Sequence, residues 1–287
     1  MKKTIGCVLL TCNAKEHLPH GLPPLLNSPL KPRLLIVDSS SDDGTIELAK
    51  QFGVEAIVIP KEEFNHGATR EMARHHLGTD IIVMITQDAY LANEHTLEAL
   101  VTPILHEKAA AAYARQIPHR NASFFESFPR EFNYPEKSQL RSLRDLPKYG
   151  VYTFFCSNSC AAYDSAKLDE IGGFPSVILG EDTVAVAMLL RKGYYVAYVA
   201  EALVHHSHCY SLKQEFKRSY QTGMARQSYA HLLQGGGSDS KRGVEYAKAM
   251  LKRLAMTSPQ LIPYACFHLF TRWLGYQLGA RKKIERR

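Results

Sequence analysis

This sequence of 287 residues contains no run of about 20 uninterrupted apolar residues, so no membrane-spanning helix is expected. No apolar stretch with a cleavage site follows Met1-Lys2-Lys3, and no signal peptide is expected. The six cysteines (Cys7, Cys12, Cys156, Cys160, Cys209, Cys266) do not make the dense framework of a small secreted domain. Reduced thiols in a cytoplasmic protein are the expectation. Cys156-x3-Cys160 has no second pair to complete a zinc site, and no His-Glu-x-x-His occurs. No Gly-x-Gly-x-x-Gly follows an early strand, so a dinucleotide oxidoreductase is unsupported. Acidic residues are scarce at one end only. Residues 241–287 hold eleven Lys/Arg against Glu245 and Glu285, a local net of +9, while the chain totals +7 and residues 1–240 sum to −2. That distribution argues against nucleic acid spread over the body and for an anionic surface met by the C-terminal end.

Apolar residues make up 45% of the chain, enough for an ordinary core. Short apolar runs at Gly6–Thr11, Leu34–Val37, Ala56–Ile59 and Ile81–Ile85 lack clean alternation, which suits strands buried on both faces. Helical patterns lie between them: Thr45–Phe52 stops at Gly53, and residues 67–77 stop at Gly78. Alternating strand and helix predicts a parallel sheet with right-handed crossovers. The second half is less regular. It reads as a helix over Leu97–Glu107 and a strand over Ala109–Arg115, then a long irregular segment over 117–149. A strand over Phe154–Tyr163, helices over Asp164–Ile171 and Glu181–Lys192, and a strand over Tyr194–Val199 follow. After about residue 211 only helices are expected: Leu212–Leu233, a break at Gly235-Gly236-Gly237-Ser238, Val244–Met256 and Leu261–Leu278. The last is aromatic, contains His268 and Arg272, and precedes Arg281-Lys282-Lys283. It reads equally as an amphipathic helix on a membrane surface or as a helix packed on the body with a solvated basic tail.

Five stretches offer chemistry. Asp38 ends a strand at Val37-Asp38-Ser39-Ser40-Ser41-Asp42-Asp43-Gly44-Thr45, where a carboxylate can accept from a base imide or a ribose hydroxyl; helix capping explains the same residues. Phe64-Asn65-His66-Gly67-Ala68-Thr69-Arg70-Glu71 opens a helix with small residues, as anion sites do, and Arg70 can meet a base carbonyl or phosphate, or pair with Glu63 or Glu71. Thr86-Gln87-Asp88 ends a buried run in a hard carboxylate that suits Mg²⁺ or Mn²⁺ and, through it, a diphosphate. Gly180-Glu181-Asp182-Thr183 places two acids at a helix start, which the helix dipole favours in any protein and which can also supply a general base. In His205-His206-Ser207-His208, alternate residues of an extended segment point the same way, so His206 and His208 can reach one metal.

In this order and spacing, these motifs resemble the family 2 glycosyltransferases, which have the A-type glycosyltransferase fold. The resemblance covers residues 4–225. It is greatest to the bacterial rhamnosyltransferases of surface polysaccharide assembly, through Phe64–Arg70, Thr86-Gln87-Asp88-Ala89, Gly180-Glu181-Asp182 and His206-Ser207-His208-x-Tyr210-Ser211-Leu212. It implies an α/β fold with a mixed, mostly parallel sheet flanked by helices. Residues 1–211 would be the catalytic domain, divided into a nucleotide-binding half (1–90) and an acceptor half (91–211), with a helical, basic extension over 212–287. Thr11, Asn13, Asp38, Arg70 and Gln87 would meet the nucleotide. Asp88, with His206 or His208, would hold Mg²⁺ or Mn²⁺, because Thr86 replaces the first acid of the family's Asp-x-Asp motif. Asp182, beside Glu181, would be the base of an inverting displacement, and Ser157 and Asn158 would border the acceptor. Phe124, Phe125, Phe128, Phe132 and Tyr134 offer flat faces to a sugar, or simply fill a core. The implied donor is dTDP-rhamnose, and the implied acceptor is a glycan or lipid-linked glycan at the inner membrane face. A UDP-hexose-using transferase and an inactive nucleotide-sugar binding protein are the rival readings. A sugar-phosphate nucleotidyltransferase would want a Gly-rich, Arg-containing loop where residues 12–24 begin Cys12-Asn13-Ala14-Lys15.

Overall fold

The computed structural model describes residues 3–177, 179–237 and 239–282. The chain runs β1 (Ile5–Thr11), α1 (Leu18–Leu26), β2 (Arg33–Asp38), α2 (Thr45–Gln51), β3 (Glu55–Val58), α3 (His66–Leu77), β4 (Ile81–Thr86) and β5 (Tyr90–Leu91). It continues through α4 (Thr96–Leu105), β6 (Ala111–Ile117), α5 (Phe124–Asn133), β7 (Gln139–Arg141), α6 (Leu146–Tyr149), β8 (Cys160–Asp164), α7 (Ser165–Asp169), α8 (Glu181–Arg191) and β9 (Val196–His205). Three helices end it: α9 (Leu212–Ser228), α10 (Asp239–Thr257) and α11 (Ile262–Arg281).

All seven residues of β1 are buried, as a strand covered on both faces requires. Its side chains alternate between two cores. Val8 and Leu10 pack with Ala73 and Leu77 of α3 and with α8, while Cys7 and Leu9 pack with Leu18 and Leu22 of α1 and Leu97 and Leu100 of α4. One sheet results, in the order β3-β2-β1-β4-β8-β6-β9-β5, with β7 also on β9. The β3-β2-β1-β4 half is wholly parallel, and β6 pairs β9 in parallel. β8 runs against both β4 and β6, and β5 and β7 run against β9. The expected α/β architecture is therefore present, and the carboxyl ends of β1, β2 and β4 bring residues 11–13, 38–41 and 86–88 to one rim.

Several expected boundaries change. Residues 117–149 are not irregular: they contain α5, β7 and α6. α5 starts at a reciprocal cap between Ser123 and Glu126, and Phe124, Phe128 and Phe132 recur every fourth residue along one side. Pro129 inside the segment hid that spacing. Phe154–Tyr163 is not one strand. A 3₁₀ turn occupies Gly150–Phe154, and β8 begins at Cys160 after a turn in which the Cys160 N–H donates to Ser157 O. Helix α1 was unforeseen, because it carries Pro23 and Pro24. The helix expected over Leu212–Leu233 ends at Ser228 and continues as a 3₁₀ turn over Ala230–Leu233. In the glycine break, Ser238 lies outside the described residues, as does Lys283 of the basic tail.

The C-terminal helices form a third apolar cluster with α5: Phe128, Met250, Leu254 and Ala265, with Phe124, Phe125, Phe132 and Tyr246 packed around them. Of the two readings of these phenylalanines, sugar platform or core, the core is the one seen for Phe124, Phe125, Phe128 and Phe132. α11 lies along α9 at backbone contact. A Cβ on Gly275 would come 2.6 Å from Phe216 O, and one on Gly279 would come 2.0 Å from Tyr220 O. His268 and Arg272, the polar interruptions of this apolar helix, both turn toward Glu215 of α9, at 3.5 and 3.7 Å. Among the described residues, no helix is long and apolar enough to cross a membrane.

Candidate active site

At the rim of the parallel half, the nucleotide-corner residues bind one another. Asp38 is fully buried; its Oδ2 accepts from Thr11 Oγ1 (2.7 Å) and Ser41 Oγ (2.6 Å), and its Oδ1 accepts from the Ser41 N–H (2.8 Å). Gln87 clamps the end of β1 by accepting from the Cys12 N–H (2.8 Å) and donating to Cys12 O (3.2 Å). Asn13, in a left-handed conformation (φ 53°), donates its N–H to Ser41 Oγ and accepts from the Asp42 N–H. Asp38 thus braces the end of β2. Its carboxylate holds the turn, and the exposed Asn13 is what the corner presents.

Arg70 pairs with an acid other than the two the sequence offered. It is buried, and its Nη1 lies 2.9 Å from Glu181 Oε1. Neither Glu63 nor Glu71 pairs with it; Glu71 instead holds Arg74 and the Phe174 N–H. The helix carrying Arg70 is capped by Asn65, which accepts from the Gly67 and Ala68 N–H groups. Gly67 faces the backbone of Pro175, so its smallness serves packing rather than a ligand.

Behind the rim lies a cavity of about 520 Å³, whose walls include Asp88, His206, His208, Glu181, Asp182 and Ser157. Two carboxylates in it have opposite surroundings. Burial pushes the Asp88 carboxyl up, but the hydrogen bond and charge of His206, then the charge of His208, outweigh it and hold Asp88 well below the usual carboxylate range. Asp182 is pushed up to about 6, first by burial and then by the neighbouring Glu181 charge. Both Asp182 oxygens are oriented: the Asn158 N–H donates to Oδ2 (3.1 Å) and the Thr183 N–H to Oδ1 (2.6 Å). Glu181 faces the other way. Burial pushes it up, but the Arg70 charge and the hydrogen bond from Asn158 Nδ2 (2.9 Å) bring it below its ordinary value. Glu181 is thus the acid of the pair that is held as an anion. Asn158, which also lines the cavity, bonds through its amide to Glu181 and to the Tyr163 hydroxyl (2.7 Å) and so helps position the acids. Ser157 does face the cavity, with its Oγ accepting from Gln116 Nε2 (2.9 Å). Gly180 makes the turn into α8 at φ +86°, and a Cβ there would lie 2.5 Å from the Tyr229 hydroxyl.

Asp88, His206 and His208 each offer one atom, all within 4.8 Å of one another. His206 Nε2 lies 3.4 Å from Asp88 Oδ1, and His208 Nδ1 lies 3.2 Å from Asp88 Oδ2. Gln116 Oε1 sits 2.8 Å from His206 Nδ1, which leaves Nε2 aimed at the shared point. His208 stacks on Tyr210, over which Arg218 sits at 4.8 Å. Burial, first, lowers both imidazoles, His208 to about 3, which favours the neutral form that ligates a metal. An anionic oxygen and two neutral nitrogens fit a divalent cation. Gln116, Arg130 and Arg218 also line this cavity and were missed in the sequence, and Tyr210, which lines it too, was read only as part of the histidine motif. Arg130 lay in the segment read as irregular, where it donates to His206 O at 2.7 Å. Only the nearness of Tyr210 and Arg218 to the histidines signalled them.

The family described as Glycosyl transferase family 2 matches residues 7–172. The chain is similar to an O-antigen chain rhamnosyltransferase of Salmonella typhimurium, with 36% identity over 96% of this chain and 89% of the relative. One from Salmonella anatum is 37% identical over 86% of this chain and 79% of the relative. Among solved structures, a mannosyltransferase of Pyrobaculum calidifontis in complex with GDP-Man and Mn²⁺ superposes with a TM-score of 0.67, at 14% identity over 96% of this chain and 88% of that one. A glucosyl-3-phosphoglycerate synthase of Mycobacterium tuberculosis with Mn²⁺, UDP and phosphoglyceric acid gives 0.56, at 18% identity over 82% and 79%. These last two likenesses concern the fold. With the motif order, the sheet and the relatives at 36–37% identity in agreement, the chain belongs to glycosyl transferase family 2.

Proposed function

We propose that this chain is an inverting glycosyltransferase that moves rhamnose from dTDP-rhamnose to a hydroxyl of a glycan or lipid-linked acceptor in surface polysaccharide assembly. One observation carries the chemistry: a carboxylate with a raised pKa and a carboxylate–imidazole cluster open into the same cavity. The raised Asp182 suits a general base near neutral pH, because it binds a proton more readily than an ordinary carboxylate while remaining ionised at pH 7. It takes the proton of the acceptor hydroxyl as that oxygen attacks the anomeric carbon from the face opposite the leaving nucleoside diphosphate. The Asn158 and Thr183 N–H groups fix the direction of its lone pairs. Arg70 pairs with Glu181 and keeps that acid charged, and the Glu181 charge in turn helps to raise Asp182.

Asp88, His206 and His208 would hold the divalent cation, which when bound supplies positive charge for the departing diphosphate. Two nitrogens and one carboxylate favour Mn²⁺ over Mg²⁺, which prefers an all-oxygen shell. Thr11, Asn13, Asp38 and Gln87 shape the nucleotide corner, and Arg130 and Arg218 add cationic side chains to the cavity wall. The division at residue 211 belongs to the same reading, with the last three helices closing the acceptor side. Their basic end, and the outward Phe267, Phe270 and Trp273 of α11, support contact with an anionic membrane surface. The rhamnose assignment rests on the two Salmonella relatives. Incubating the purified chain with Mn²⁺ and, in turn, dTDP-rhamnose, UDP-glucose or GDP-mannose tests it. Turnover of the dTDP-sugar is the expected result, and turnover of only a UDP-hexose would replace the donor.

A further inference from the structure

Strand β6 delivers Gln116 into the wall of the catalytic cavity, where it is only 3% exposed. The pairing of β6 with β9 shifts register after Ala114, so Gln116 lies beside Val204 and Ile117 beside His205. The His206 N–H then donates to Ile117 O (2.9 Å), which seats His206 just beyond the strand, against the Gln116 side chain. Both ends of the Gln116 amide are used. Oε1 lies 2.8 Å from His206 Nδ1, and Nε2 donates to Ser157 Oγ at 2.9 Å. One side chain thus touches an imidazole of the carboxylate–imidazole cluster and a hydroxyl of the cavity wall.

The amide can sit in two orientations, and they demand opposite hydrogens. With Oε1 toward His206, the imidazole carries its hydrogen on Nδ1 and leaves the lone pair of Nε2 available, 3.4 Å from Asp88 Oδ1. With the amide reversed, its nitrogen donates to Nδ1. The hydrogen of a neutral imidazole then sits on Nε2, where it blocks a cation. Ser157 follows the same choice. In the first orientation its Oγ accepts from Gln116 and from the Ser159 N–H (3.4 Å), so its own hydrogen points to Ser159 Oγ (3.2 Å) or to a bound ligand. In the second, that hydrogen is drawn back to Gln116. Ligation through Nε2 is compatible with the first orientation alone.

We infer that Gln116 is a positioning residue that carries the occupancy of the cation site to the cavity wall. With a cation held, the amide oxygen stays on His206, and Ser157 is set as a hydrogen-bond donor to an oxygen of the sugar that Asp182 acts on. The inference rests on the cation reading above and extends it from the ligands to the residue behind them. Asn158, next in the chain, donates its N–H to Asp182 (3.1 Å), so residues 157–158 present the donor and the anchor of the base together. A glutamine that served packing alone could be replaced by leucine with no change in cation affinity, and that difference is what the test reads.

The test titrates Mn²⁺ alone into the full chain, followed by the paramagnetic resonance of the free ion. Gln116→Leu keeps the bulk and removes both hydrogen bonds. It should weaken Mn²⁺ about 10- to 100-fold, the usual effect of losing the partner of a metal-bound histidine. Gln116→Glu keeps an oxygen to accept from Nδ1–H and should restore most of that affinity. Neutron diffraction from a Mn²⁺-loaded crystal of the wild type reads the hydrogens themselves, with a deuteron expected on His206 Nδ1 and the Ser157 deuteron turned away from Gln116. The neutron map needs no variant, so it decides the question even where Gln116→Leu does not fold. Wild-type affinity in Gln116→Leu, no rescue by glutamate, or a Ser157 deuteron on Gln116 would overturn the inference and leave the cation site standing. No Mn²⁺ binding by the wild type, or equal affinity in Asp88→Asn, would overturn the cation reading and the inference with it.

Discussion

Asp182 and Glu181 are neighbours in sequence with opposite tasks, and only their surroundings tell them apart. Glu181 is paired with Arg70, whereas Asp182 has two backbone N–H groups and an adjacent negative charge. Asp182→Asn should lower turnover by about 100- to 10,000-fold, the usual contribution of a general base. A steady-state assay at pH 7.5, above the about 6 of Asp182, reads this; near-normal turnover would reject the base. In the wild type, the rate should fall as pH drops through about 6, not through the ordinary aspartate range near 4. The same shift has a cost in stability. An acid whose folded pKa is raised binds more protons folded than unfolded, so the stability it lends at low pH is lost as pH rises from its unfolded value through about 6. Asp182→Asn should therefore melt higher than the wild type at pH 8, with the gap closing toward pH 4. Arg70→Met leaves the buried Glu181 charge without its partner and should destabilise by about 3–5 kcal/mol in urea unfolding. Adding Glu181→Gln should recover much of that loss; no recovery would show that the pair is not the cause.

At the scale of elements, the parallel half was legible because its strands are short apolar runs and the helices between them stop at Gly53 and Gly78. Asp88 and the histidines were legible as types at strand ends. Their meeting was expected only through the family resemblance, because it depends on β5 and β9 pairing Tyr90 with His205. α5 was illegible because its apolar positions face the C-terminal helices rather than the sheet, and Pro129 masks the period. Asp38 was legible as a carboxylate at a strand end, but its bonds to Thr11 and Ser41 were not, because they depend on the packing of β1 beside the turn. The glycines of α11 were read only as part of an apolar helix, though they set its approach to α9. Gly279→Val places a side chain where Tyr220 O already lies 2.0 Å from an added Cβ. It should lower the melting temperature by several degrees, of the order that overpacking of about 1–3 kcal/mol produces. A control at Gly243, where a Cβ is unopposed, should not.

Over the whole molecule, the base and the carboxylate–imidazole cluster share one cavity, and a basic, aromatic C-terminal end flanks it. Replacing Phe267 and Trp273 together with serine should reduce cosedimentation with anionic vesicles while leaving the melting temperature near that of the wild type, because both side chains are more than half exposed. Undiminished cosedimentation would remove the membrane reading. EDTA should abolish transfer, and Mn²⁺ should restore it more fully than Mg²⁺; full activity in chelator would show that no divalent ion takes part. Anomalous diffraction at the manganese edge, from crystals soaked with dTDP and Mn²⁺, tests the central claim most directly. The expected result is one ion bound by an Asp88 oxygen, His206 Nε2 and His208 Nδ1, with the diphosphate beside it and Asp182 across the cavity. An ion held elsewhere, or a diphosphate bound away from Asp88, would contradict it.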